Sequence, residues 1–140
     1  MERHALHPAY YAIAFRTEAP VSAWPAAFVI LTAYATTGEM WSPERNTEAD
    51  QRLHAELLER GLRPISITGY DPDTQHAEAG WAVELPLAEA LEMGRRYLQD
   101  AIFHVVGDEL SVCSCAPEGP CAAVGRFTER LNTWTSPAID

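Results

Sequence analysis

The segment Ala26 to Tyr34, reading AAFVILTAY, constrains this chain more than any other. Apolar side chains occupy odd and even positions alike, so an extended backbone here is apolar on both faces. Such a strand belongs in the middle of a sheet, not at its rim. Its polar residues, Thr32 and Tyr34, come only where the run closes.

A helix start follows after the loop Thr36 to Trp41. Ser42 suits the N-cap, Pro43 suits the first helical position, where its missing N–H costs nothing, and Glu44 meets the positive helix end. Ala49, Leu53, Leu57 and Leu58 form the buried stripe, and Gly61 suits the C-terminal cap. Asn46 lies one turn before Ala49 on that stripe, where an unpartnered polar group costs about 1–3 kcal/mol.

The remaining elements fall around this pair. Pro8 to Thr17 reads as an edge strand, with a short helix as the alternative, and Ala19 to Pro25 is a connector with two prolines. Arg63 to Tyr70 alternates, with Ile65 and Ile67 toward the core and Ser66 and Thr68 away. Tyr70 to Gly80 reads as a polar loop opened by Asp71-Pro72-Asp73. Trp81, Val83 and Leu85 mark a strand with Glu84 outside. Pro86 then opens a second helix burying Leu87, Ala90, Leu91, Gly94, Tyr97 and Leu98, with Glu92 and Arg96 paired on its exposed side. Ala101 to Val106 and Glu109 to Cys115 form a hairpin across Gly107-Asp108. Phe103, Val105, Leu110 and Val112 share its core face, and His104, Ser111 and Cys113 share the other. From Ala116 a tail follows, helix-like around Phe127 to Leu131.

The order strand, helix, strand, strand, helix, strand predicts an α+β, ferredoxin-like sheet with both helices on one face and an extra strand at each end. One domain spans residues 1–140, with its core over 26–115 and the tail over 116–140. In that topology one end of the sheet gathers Thr32, Tyr34, Asn46, His76, Glu78, Gln99 and Asp100. Asn46 and Gln99 supply donors and acceptors for an amide, a sugar or a base edge. Glu78 and His76 are the catalytic candidates, as base and orienting partner. No Ser or Cys nucleophile stands at a recognisable spacing from a base, and no Gly-rich phosphate loop occurs. The plainer readings are that Asn46 ties down the preceding loop, Gln99 satisfies backbone at a helix end, Thr32 is a locally bonded core hydroxyl, and His76 with Glu78 is a solvated loop pair.

Composition narrows the partners. The net charge is −10, and all ten basic residues are Arg. Such acidity disfavours nucleic acid and anionic membranes. No apolar run reaches the roughly 18 residues of a membrane span. Met1-Glu2-Arg3-His4 lacks a basic head with an apolar stretch, so a cytoplasmic location is expected. No cofactor is expected. Cys113, Cys115 and Cys121, with His104, are the residues a structural zinc would use, but their spacing is not that of a standard finger. Reduced cysteines without metal are the expectation, and a Cys115–Cys121 disulfide is geometrically feasible but foreign to cytosol.

Four pieces, in order, resemble a known family: Ile30-Leu31-Thr32-Ala33-Tyr34, Ser42-Pro43-Glu44-Arg45-Asn46, Glu78 before Trp81, and Arg95-Arg96-Tyr97-Leu98-Gln99-Asp100-Ala101-Ile102. Together they resemble the bacterial family catalogued as domain of unknown function 3293, over roughly half the chain. Where that family follows the aromatic with Asn-Pro, this chain has Ala35-Thr36. The resemblance implies a shared site at Thr32, Asn46, Glu78 and Gln99 without naming a ligand. The expected function is a small binding module in which Thr32, Tyr34, Asn46, Glu78, Gln99 and Asp100 hold a small polar ligand or a protein partner. The alternatives are a hydrolase or nucleotide-processing enzyme using Glu78 and His76, and a structural module that forms a homodimer through its open sheet face.

Overall fold

The computed structural model describes residues 8–18, 21, 23–35, 40–74, 76–117 and 119–133. The N-terminal stretch Met1 to His4, Pro20 of the connector, Thr36 and the residues after 133 lie outside them. A 3₁₀ turn, Pro8–Tyr10, leads into β1 (Ala14–Thr17) and β2 (Ala27–Thr32). There follow α1 (Pro43–Glu59), β3 (Ile65–Tyr70), β4 (Ala77–Val83), α2 (Leu87–Arg96), β5 (Ala101–Val106) and β6 (Glu109–Ser114). The chain closes with β7 (Cys121–Arg126), α3 (Phe127–Arg130) and β8 (Leu131–Thr133). All eight strands join one sheet in the order β7-β6-β5-β2-β4-β3-β1-β8. Neighbours are antiparallel except β1 and β8, which run parallel.

That order forces the sheet to curl. β7 and β8 are its two ends, yet only the four residues of α3 separate them in the chain. Seven flat strand spacings would put them roughly 34 Å apart, whereas the steps from Arg126 to Leu131 span at most about 18 Å. The result is a half-barrel. Phe15 of β1 and Phe103 of β5, four strands apart in the order, meet edge to face with ring centroids 5.3 Å apart. Arg130 ties the two ends: its guanidinium donates to the carbonyls of Tyr11 (3.1 Å) and Ile13 (2.9 Å) on one side, and to that of Val124 in β7 on the other.

The ferredoxin-like expectation is therefore overturned. The sheet has eight strands, is mixed and curled, and buries two cores instead of one. The convex core lies under the helices: Val29, Leu31, Val83, Ile102 and Cys113 meet Leu53 and Leu57 of α1 and Ala90 and Met93 of α2. The concave core holds Phe15, Phe28, Ile30, Ile67, Phe103, Val105, Leu110, Val112 and Phe127. β2 gives alternate residues to each core, which explains its unbroken apolar run. Phe103, Val105, Leu110 and Val112 do share a face, but it is the concave one. The helices cover the side carrying Cys113, the face expected to be open. Alternation separates the two faces of a strand without saying which one the helices take.

Other departures follow from packing. β1 lies between β3 and β8, not at the edge. The described part of the expected tail is integral to the sheet, and Phe127, 2% exposed, wedges between Trp24, Phe28 and Phe15 at ring distances of 5.0, 5.3 and 5.9 Å. Asp108 at the hairpin turn sets that wedge. Its carboxylate accepts from the Thr128 hydroxyl (2.7 Å) and amide (2.9 Å) and from Arg126 (3.0 Å), which holds its pKa below the ordinary value. α1 starts as expected, with Ser42 Oγ accepting from Arg45 N at 3.1 Å, and Gly61 follows it at φ +76°. α2 ends earlier than its apolar pattern suggests. Met93 is buried, while Leu98 lies beyond the helix, 58% exposed at φ +61°. Arg96 bonds Glu56 of α1 rather than Glu92, and with Tyr97 and Arg60 it holds the Glu56 carboxyl down at about 2.

Candidate functional site

The concave core does not fill the half-barrel to its end. Toward the Thr32 end of β2 a cavity of about 450 Å³ opens, within the size range of small-molecule sites. Its floor is apolar: Phe15, Ile30, Ile67, Ala101 and Phe103, with Tyr10 and Ile13 at one side. Its mouth is polar: Thr32, Tyr34, Asn46, Asp71, His76, Glu78 and Gln99, with Trp41 and the exposed Met40 at the rim.

Two strand glycines shape the wall. Gly80 of β4 faces Thr32 on β2 and Ile67 on β3. A Cβ there would sit 2.5 Å from the Leu31 carbonyl oxygen, so the close approach of backbones requires glycine. Gly69 of β3 stands opposite Glu78. A Cβ there would rest in ordinary van der Waals contact with Ile13 Cδ1 at 3.4 Å and Phe15 Cε1 at 3.5 Å, so a methyl fits without a clash and a larger side chain would crowd the cavity lining.

Glu78 sits in β4, not in a loop as expected: β4 begins at Ala77, and Ala77 to Gly80 pair with Ile67 to Tyr70. Its Oε1 accepts from Thr32 Oγ1 at 3.4 Å, and its Oε2 lies 3.0 Å from Nε2 of the largely exposed His76. Thr32 Oγ1 in turn accepts from Tyr34 N at 3.2 Å. Tyr34 has its hydroxyl pKa raised, first by burial and then by the carboxylates of Asp50 and Glu78. Asn46 Oδ1 accepts from Ala35 N at 2.9 Å, and Gln99 Nε2 donates to the carbonyls of Tyr34 (2.7 Å) and Tyr97 (3.1 Å). The two amides therefore brace one corner, residues 34 and 35, from opposite elements. Asn46 thus has the loop-tying bond of its plainer reading, and Gln99 has its backbone bonds. Both still border the cavity.

Of the expected binding residues, Thr32, Tyr34, Asn46, Glu78 and Gln99 line this cavity together with His76. Asp100 does not: it is exposed beyond α2, and its carbonyl accepts from Cys115 N at 2.8 Å. The apolar floor was missed, and so were Trp41, Asp71 and the two glycines. The available signal was the pair of glycines inside strand-like sequence, since such glycines mark places where something approaches the backbone closely. Behind the wall, Trp81 Nε1 donates to Asp50 at 3.0 Å, and the His54 ring stacks on Trp81 at 3.9 Å. Burial raises the pKa of Asp50.

The cysteines do not assemble as expected. Cys113 and Cys121 stand directly opposite on β6 and β7 and form a disulfide, replacing the Cys115–Cys121 option. Cys115 is a buried free thiol that burial pushes up to about 11. Among the described residues no group of three or more His, Cys, Asp or Glu is placed to hold a metal, so His104 and the cysteines do not form the weighed zinc site. No described helix is long and apolar enough to cross a membrane.

Neither the curated proteins nor the solved structures give a match to this sequence. A family profile matches residues 31–102, just over half the chain. That span runs from β2 through α1 and α2 to the start of β5 and includes the polar mouth, while β7, α3 and β8 lie beyond it. The chain belongs to the family described as protein of unknown function (DUF3293).

Proposed function

We propose that this protein is a binding module whose half-barrel cavity takes a small molecule, its apolar body on the floor and its polar end at Thr32 and Glu78. The observation that carries this reading is the cavity itself: about 450 Å³, with an apolar floor and a cluster of polar side chains at its mouth. An apolar floor gains free energy by shedding water onto a ligand, at about 25 cal/mol per Å². A few fixed polar groups at the mouth then orient it. A neutral hydrophobic fluorophore, N-phenyl-1-naphthylamine, tests the reading. It binds wild type saturably, and Gly69→Leu, which adds a bulky side chain to the cavity lining beside Ile13 and Phe15, abolishes the signal. Ala101→Leu fills the floor from β5 and serves as the independent second variant. Equal binding by wild type and by both filled variants, each checked for folding by circular dichroism, refutes the reading.

A second reading rests on the 3.0 Å contact between His76 Nε2 and Glu78 Oε2. Glu78 acts as general base on a ligand in the same cavity, with His76 fixing its orientation. Turnover of a panel of activated esters and phosphate esters by wild type, lost in Glu78→Gln, supports it. No turnover by wild type above buffer counts against it.

A further inference from the structure

We infer that the ligand is an organic cation: a primary ammonium on an apolar alkyl or aryl body, with the ammonium seated against Glu78. This rests on the binding reading above and adds the charge of the head group. Among the described residues, the titratable groups of the mouth are two carboxylates, Asp71 and Glu78, with His76 and Tyr34. Among the described residues no arginine lines the cavity, and the sequence has no lysine. Arg45 is spent on the outer rim, stacked 3.8 Å over the Trp41 ring. The whole chain carries −10, so the field outside adds to the field at the mouth.

An anionic head would meet Glu78 and Asp71 with no lining lysine or arginine to offset them. A neutral hydroxyl would bond Glu78 without the charge. An ammonium supplies three donors, and Glu78 is built to receive them. Its side chain is only 20% exposed, it is fixed in a strand, and its partner across the sheet is Gly69, which sets no side chain against it. Its contacts with Thr32 and His76 engage one bond at each oxygen, leaving further lone pairs of the roughly four that a carboxylate offers.

Three probes with one phenylethyl body separate the possibilities by calorimetry: 2-phenylethylammonium, 2-phenylethanol and 3-phenylpropanoate. The ammonium is expected to bind wild type at least about tenfold tighter than the alcohol, with the carboxylate weakest. Glu78→Gln brings ammonium and alcohol to nearly equal affinity, and Gly69→Leu weakens all three. If Glu78→Gln fails to fold, salt replaces it: the ammonium's advantage shrinks toward about 1 M salt while the alcohol is unaffected. Equal binding of alcohol and ammonium to wild type overturns the inference and leaves the cavity reading standing. An ammonium preference that survives Glu78→Gln, or resists salt, also overturns it. Failure of all three probes together with N-phenyl-1-naphthylamine overturns the cavity reading as well.

Discussion

Replacing Phe127 with alanine removes the ring that seats the C-terminal segment in the concave core. The ring is 2% exposed and packs on Trp24, Phe28 and Phe15 at 5.0, 5.3 and 5.9 Å. A buried Phe→Ala change costs about 3–5 kcal/mol in lost transfer energy and residual cavity, and each aromatic pair holds about 0.5–1.5 kcal/mol beyond area. About 4 kcal/mol is therefore expected. At roughly 2.1 cal/mol/K per residue over 140 residues, the unfolding entropy is about 0.3 kcal/mol/K, so Tm should fall by about 13 °C. Far-ultraviolet circular dichroism follows the melt. Met40→Ala, at the 96% exposed Met40, is the control and should move Tm by less than about 2 °C. A Phe127→Ala shift as small as the control's would mean that the segment after 116 is an accessory tail, and the argument for a curled half-barrel would fail with it.

Three further outcomes test other parts of the structure. Leu98 at φ +61° carries left-handed strain on an exposed side chain, so Leu98→Gly should stabilise by about 0.5–1 kcal/mol, read as a raised urea midpoint; a lowered midpoint refutes it. Glu56 is held at about 2, from 4.5, by Arg96 first and by Tyr97 and Arg60, so its stabilisation is complete above pH 4.5 and drains away as pH falls toward 2. Solvent screening leaves about 1 kcal/mol of it, so the advantage of wild type over Glu56→Gln in urea melts should shrink across that window; a constant advantage refutes the assignment. Protein taken from cells without reductant should show one thiol on denaturation, Cys115, slow to react while folded because its pKa is pushed up to about 11. Three thiols would show the Cys113–Cys121 bond absent.

What the sequence revealed of the fold was local. The α1 start is written in adjacent residues, Ser42 and Pro43, and needed no partner to be read. The curl was not legible because it depends on β8 crossing to β1, a pairing made by three residues with no strand-like run of their own. β7 reads CAAVGR and shows mostly exposed side chains, so it carries no alternation to detect. The first residues of β4, Ala-Glu-Ala-Gly, favour no strand by propensity. They are extended because Ile67 to Tyr70 pair with them, a case of tertiary context overriding local preference. One clue did reach beyond local structure: the two-faced apolar run of β2. Helices on a single side cannot cover it, so its second face needed other cover, and the structure supplies a second core where the sequence left the tail or a second copy as options.

The polar mouth assembles although the expected architecture fails, and the strand order explains why. Thr32 reaches Glu78 because β2 pairs with β4, setting Thr32 against Gly80. Gln99 reaches the Tyr34 carbonyl because β5, which follows α2, pairs with β2. Asn46 reaches Ala35 from the first turns of the helix that follows β2. None of these contacts needs β1, β7 or β8. The floor does: Phe15 comes from β1, and it closes on Phe103 of β5 only when the sheet curls. Residues that meet through neighbouring elements were thus legible, and residues that meet through closure were not. The difference bears on the proposed binding function: a polar mouth alone would favour a polar ligand, whereas a floor of Phe15, Ile30, Ile67 and Phe103 beneath it is the reason for proposing one with an apolar body.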